Sequence, residues 1–460
     1  MKNRNAKILT VTNAVKSILF VLALIVGLVL NCIPPLRPTV SETENRELNK
    51  FPTFTIEKLL SGEFFTKQSD DPNKVGLSQW FSDTFPFREQ LITAYGGIEG
   101  MFGIQANKIH GDVQTGDDIP DLPSKQEPSS SQSDSLQSSQ DTSSLKSEDT
   151  VSEESVEPLP EAETFGGVLL SGNTAYELYN FNTSVANRYS AAITNAANRL
   201  GDSVKVYDII APTSVGITLP DSLKKSVNSS DQQKAINYMY GSMSDKVVTV
   251  DAFTSLNKHK KEYIYFRTDH HWTQLGAYYA YEQFMLAKKS APVPLEQYTT
   301  MQFDGFLGTF YTSTKKSPAL AEFPDSVVAY KPFNNAVMTV TNSKGKTFNY
   351  PIIQDTTTYP SNLKYSSTFI GSDNPYTVIV NNDLNDGSAC VLVKESFGNA
   401  FAPLLIPHYQ TVYVVDYRYY SGSLVELVQN NSVSDVIFLN NISATRASSL
   451  VGYLEKLINR

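Results

Sequence analysis

Apolar and polar positions divide the chain into three regimes. Residues 17–33 form an uncharged apolar run, with Lys2, Arg4, Lys7 and Lys16 before it and Pro34-Pro35 behind it. Helical geometry gives such a run a length of about 26 Å, enough to cross a thin bilayer. The cations in front place residues 1–16 in the cytoplasm and everything past Pro34 outside. A cleaved signal peptide is the competing reading. No small-x-small site follows the run, however, and Asn31 before Cys32 fits a lipoprotein box poorly. The pattern predicts an uncleaved single-pass anchor over residues 17–35, with the bulk of the chain extracytoplasmic at the cell membrane.

The second regime begins near residue 164. Short β-branched runs at 204–210, 389–393, 411–415 and 436–439 read as buried strands. Helical periodicity covers 176–200, 273–287, 424–429 and 445–458. Strands alternating with helices predict an α/β domain over 164–460, built on a mostly parallel sheet covered on both faces. Residues 292–381 break the rhythm. Turn chemistry at Asn342-Ser343-Lys344-Gly345 and alternation over 337–341 predict a β-rich insertion there.

The third regime has little to bury. Residues 112–163 hold 14 acids and 2 lysines, a net charge of −12, with sparse large apolar side chains. Such a stretch cannot offset its ordering entropy and is predicted disordered. The whole chain carries −9, so the remainder carries +3, and the acidity belongs to this insertion rather than to a folded surface. Ahead of it, residues 36–111 mix aromatic residues with Asp83 and Arg88 and predict an arm of short helices and turns packing on the main domain. Nothing is basic enough for a nucleic-acid binder. The two cysteines, Cys32 and Cys390, exclude a disulfide scaffold and a C-x-x-C site.

Candidate chemistry sits in two places. The first is Arg267-Thr268-Asp269-His270-His271-Trp272-Thr273, which holds two of the five histidines. Strand-like residues 263–266 give way here to a helix, with Thr268 or Asp269 as N-cap. A histidine acting as general base needs a carboxylate on its other ring nitrogen, and Asp and His two residues apart on a turn meet that need. A plain helix cap with exposed histidines is equally compatible with these residues. Zinc ligation is a weaker reading, because adjacent side chains rarely converge on one ion. The second place is 389–400, where an apolar strand ends and Glu395-Ser396-Phe397-Gly398-Asn399 leads into a helix. A serine at the carboxyl end of such a strand points into the crevice where open α/β sheets bind ligands. The N–H groups of Ser396 and Phe397 and the amide of Asn399 are candidate oxyanion donors. A capping serine is the commoner outcome of strand–Ser–x–Gly.

Taken together, Asp269-His270-His271-Trp272 resembles the signature of the DHHW protein family. Glu44-Asn45-Arg46 with Phe51-Pro52, the 81–88 segment, 305–311 and Asp416-Tyr417-Arg418 extend the resemblance over most of the chain. That family looks related to SGNH-hydrolase-like O-acetyltransferases of alginate and other bacterial surface polysaccharides. The resemblance implies a three-layer α/β sandwich, with Ser396 as acyl-accepting nucleophile, His271 as its base and Asp269 orienting His271. Spacing alone would also permit His270, which otherwise joins Phe397, Asn399 and Arg418 as a substrate-binding or oxyanion candidate. The implied activity is transfer of acetyl to a cell-surface polysaccharide from a multi-pass membrane acyltransferase, with no metal and no cofactor. An acetyl esterase and a non-catalytic scaffold in surface-polymer assembly are the alternatives. Two departures stand out: the order is Asp, His, Ser rather than nucleophile first, and Glu395 puts a charge beside Ser396.

Overall fold

The computed structural model describes residues 167–460 throughout. Before them it describes residues 21, 33, 36–41, 46–52, 54–65, 76–88, 90–91, 109–110, 115–121 and 162–165. Among the described residues no helix is long and apolar enough to cross a membrane. The anchor expected over 17–35 lies outside them apart from Val21 and Ile33, as does most of the acidic stretch 112–163. The two described parts of that stretch are structured. Asp117 exchanges hydrogen bonds with the backbone of Phe181 and Thr183, and Ala162–Phe165 is a strand.

The chain divides into two compact units. The smaller comprises residues 1–105 and 309–323. In it the Arg37 guanidinium lies 4.0 Å from the Trp80 ring centre and donates to Thr84 Oγ1 at 3.0 Å, while Asp83 accepts from the Asn49 N–H. Residues 309–323, expected within the main domain, belong to this unit.

The larger unit is built on an eight-stranded sheet. Its strands are β1 (Lys205–Ala211), β2 (Val247–Thr249), β5 (Ala336–Thr341), β6 (Thr347–Asn349), β7 (Tyr376–Asn381), β8 (Ala389–Lys394), β9 (Thr411–Asp416) and β10 (Asp435–Asn441); β3 (Thr299–Phe306) and β4 (Asp325–Lys331) pair separately. The order is β6-β5-β7-β9-β8-β10-β1-β2. The five strands from β9 to β2 are parallel, and β7, β5 and β6 extend the sheet antiparallel. Every residue of β8 and β10 is buried, as expected of parallel strands covered on both faces, whereas β7 alternates between buried and half-exposed. The 292–381 region is therefore not one insertion. Only β3 and β4 form a hairpin apart; β5, β6 and β7 continue the central sheet, because alternation there marks strands with one open face.

Helices α1 (Thr183–Leu200), α2 (Ala252–Lys258), α3 (Gln274–Ala287), α4 (Gly398–Leu405), α5 (Leu424–Asn430) and α6 (Ser448–Asn459) flank the sheet. α1 packs on α6 and β1, and α3 packs on α2, α4 and β1. α1 starts seven residues later than periodicity suggests, since Thr174–Glu177 is a strand and Asn182 caps the helix through the Val185 N–H.

Candidate active site

Residues 264–273 form a closed loop ahead of α3. Tyr265 pairs with Trp272 as an isolated antiparallel bridge, Phe266 N donates to His271 O and Thr273 N to Ile264 O. The N-cap of α3 is Thr273, whose hydroxyl accepts from Gly276 N; Thr268 and Asp269, the expected caps, do not cap it. Thr268 is spent on Asp325. That fully buried carboxylate accepts from Arg267 N, Arg267 Nε, Thr268 N, Thr268 Oγ1 and Tyr263 OH, and so pins the loop to the start of β4. Gly308 closes the other side. A Cβ there would stand 2.3 Å from Asp269, so only glycine permits this approach.

The pinned loop presents Asp269 and His271 to the end of β8. Asp269 Oδ1 accepts from His271 N at 3.0 Å and lies 2.5 Å from His271 Nδ1. An ionised carboxylate only accepts, so Nδ1 carries the proton and Nε2 keeps its lone pair. Nε2 lies 2.8 Å from Ser396 Oγ. The hydroxyl, imidazole and carboxylate thus stand in series across 125 residues of sequence. Trp272 Nε1 donates to Phe397 O at 3.0 Å and Gln274 Nε2 to Ala400 O at 3.0 Å, clamping the loop to the start of α4. Tyr365 and Phe397 pack against the His271 ring, at 4.4 and 5.1 Å between centres. Gly398 is required too, because a Cβ there would meet Lys394 Cβ at 2.4 Å.

The remaining candidates divide. His270 is half-buried, and burial together with the adjacent His271 ring holds it below the ordinary imidazole range. It lines a cavity of about 400 Å³ with Glu177, Glu395, Ser396, Arg418 and Arg446. Arg418 is in the site but is committed: it grips Asp416 through Nε at 2.9 Å and Nη2 at 2.6 Å, and reaches Asp373. Beneath it the fully buried Lys394 bridges Asp373 and Asp416. Burial opposes ionisation of Asp373, but Lys394 and Arg418 outweigh it and hold the group well below the usual carboxylate range. Neither expected oxyanion donor beyond Ser396 is disengaged. The Asn399 amide donates to Asp373 at 2.8 Å, and Phe397 N–H donates to Glu395 Oε2 at 3.2 Å. Glu395 itself is buried, not turned to solvent. Its Oε2 lies 3.1 Å from Ser396 Oγ and its Oε1 accepts from Asn441 N at 2.9 Å.

Asp269, His270 and His271 offer ligand atoms within 4.8 Å of one another. Two atoms on one tetrahedral zinc stand about 3.3 Å apart. The 2.5 Å between Asp269 and His271 is instead the separation of a shared proton. Sequence reasoning missed Asp325, Gly308, Glu177 and Arg446. Only Gly308 left a trace, within the 305–311 resemblance.

The DHHW family model, described as DHHW protein, matches residues 44–415. The chain belongs to the DHHW family. A DHHW family protein from Eubacterium siraeum superposes with a TM-score of 0.59 at 28% identity, covering 64% of this DHHW chain and 97% of that one. Bacillus cereus PatB1, solved with a sulfonyl adduct, gives 0.51 at 17% identity over 63% of this chain and 99% of its own, a likeness of fold. No curated protein matches the chain.

Proposed function

We propose that this DHHW protein is an extracytoplasmic O-acetyltransferase that modifies a cell-surface polysaccharide through an acyl-serine intermediate. The observation carrying this reading is the 2.8 Å contact of Ser396 Oγ with an imidazole already oriented by Asp269. Ser396 Oγ bonds to the carbonyl carbon of an acetyl ester while its proton passes to His271 Nε2. The tetrahedral intermediate collapses, the ester C–O bond breaks, and His271 returns the proton to the departing oxygen. A sugar hydroxyl then attacks the acetyl-serine and gives its proton to His271; the acyl–Oγ bond breaks, His271 returns the proton to Ser396 Oγ, and the sugar leaves as its acetate ester. Asp269 stabilises the imidazolium formed in both half-reactions. The architecture supports the reading: an α/β fold of SGNH-like character, shared with PatB1, with the serine at the carboxyl end of a central parallel strand. The apolar run at 17–33 would tether the enzyme to the membrane beside a multi-pass acyltransferase supplying acetyl.

The test is turnover of a chromogenic acetyl ester by the full chain against Ser396→Ala and His271→Ala, followed by an oligosaccharide acceptor. Loss of turnover in both variants and net gain of acetyl on the acceptor are expected. Equal turnover by Ser396→Ala removes the serine from the chemistry; net loss of acetyl makes the enzyme an esterase.

A further inference from the structure

The Ser396 hydroxyl has one proton and two acceptors, His271 Nε2 at 2.8 Å and Glu395 Oε2 at 3.1 Å. Glu395 Oε2 also takes the Phe397 N–H at 3.2 Å. A single carboxylate oxygen therefore sits between the Ser396 hydroxyl and the N–H of Phe397, the N-cap of α4. That is the ground an acyl carbonyl oxygen must occupy to be bonded to carbon at Ser396 while facing a helix N-terminal N–H. The side chain is not there by accident of exposure. It is buried, and its other oxygen is fixed by Asn441 N at the end of β10.

We infer that Glu395 occupies the oxyanion position of the resting site and limits the rate at which Ser396 is acylated. The inference rests on the acyl-serine reading above. An incoming carbonyl oxygen gains negative charge as Ser396 attacks, and a carboxylate on the same donor opposes that charge and competes for the N–H. The acyl group enters only when Glu395 yields. No bond to Glu395 is made or broken; it acts by occupancy and charge. A site closed in this way reacts slowly with adventitious esters and water. This suits an enzyme meant to hand its acetyl group to a sugar.

The experiment is pre-steady-state acylation of the full chain by p-nitrophenyl acetate, with labelling by a fluorophosphonate read as intact mass in parallel. Wild type, Glu395→Gln, Glu395→Ala and Ser396→Ala are compared. Glu395→Gln keeps the volume and removes the charge; because its amide N–H₂ must meet the Asn441 or the Phe397 N–H, a thermal melt establishes that each variant is folded before its rate is read. Faster acylation and labelling of Glu395→Gln, by about tenfold or more, is expected, with none in Ser396→Ala. Acylation of Glu395→Gln at or below the wild-type rate, with Ser396→Ala inert, overturns the role of Glu395 and leaves the acyl-serine reading standing. Acylation that survives in Ser396→Ala, or is absent from every variant, overturns the acyl-serine reading itself and this inference with it.

Discussion

Replacing Gly308 with alanine measures how tightly the carboxylate–imidazole pair is held. The added Cβ would lie 2.3 Å from Asp269 Cβ and Oδ2 and 2.6 Å from Cγ. Ordinary contact begins at 3.4 Å, and Gly308 has no left-handed φ, so the penalty is one of space rather than backbone strain. Asp269 must retreat by about 1 Å, a misplacement that costs on the order of a hundredfold in rate when it strikes a catalytic constellation. The 2.5 Å contact with His271 Nδ1 then opens and the imidazole loses its orienting partner. Gly308→Ala should lower kcat for ester turnover by about a hundredfold with KM nearly unchanged, because the substituted position faces Asp269 and not the cavity. Overpacking should also cost about 1–3 kcal/mol of stability. Stopped-flow acylation gives the rate, urea melts give the stability, and the low-field proton resonance of His271 Nδ1–H reports the bond directly. A variant within about threefold of wild-type kcat that keeps this resonance would refute the close-approach reasoning.

Asp325→Asn turns an amide N–H₂ toward donors that the carboxylate now satisfies, and should cost about 3–5 kcal/mol in urea unfolding; a loss under about 1 kcal/mol would show that the loop does not depend on that carboxylate. Lys394→Met leaves Asp416 buried with Arg418 as its remaining cation, and a loss of about 3–5 kcal/mol is expected in thermal melts. Asp208 is fully buried with only Tyr189 OH on its carboxylate, and burial, partly offset by that hydrogen bond, raises its pKa to about 7. The folded state therefore holds this proton after the unfolded chain has released it near its ordinary pKa of about 4. Between about pH 4 and 7 the group's contribution to stability falls with rising pH, at a limiting slope of about 1.4 kcal/mol per pH unit. Stability curves of wild type and Asp208→Asn should diverge across that window, and parallel curves would show that Asp208 is ionised in the fold.

Four of the five parallel strands were legible in the sequence because they read as unbroken β-branched runs; the three-residue strand β2 at the sheet edge is too short to stand out as one. β8 and β9 were each placed to within one residue of their observed ends. The antiparallel half was read as a separate insertion, since alternation in β5 and β7 reports one open face and says nothing of which neighbour pairs. Motifs at strand–helix boundaries singled out Asp269, His271 and Ser396 as candidates, while the choice of His271 over His270 and the three roles came from the resemblance alone. Asp325 was not. A lone aspartate at the start of a hairpin strand looks like any turn residue, and only the three-dimensional return of β4 to the loop gives it five donors. The resting-state engagement of Phe397 and Asn399 was illegible for a similar reason: their partners, Glu395 and Asp373, are supplied by backbone geometry and by a residue 26 positions away.

The strand bearing Ser396 lies between β9 and β10, and both follow it in the chain. During synthesis Ser396 therefore emerges before either flanking strand exists to seat it. A chain halted after α5 would carry the serine, the histidine and the aspartate, yet lack Asn441, which fastens Glu395, and lack one wall of the sheet beneath Ser396. The setting of Ser396 is thus completed only by the last few dozen residues, and a molecule cut before them has neither that wall nor the backbone anchor of Glu395.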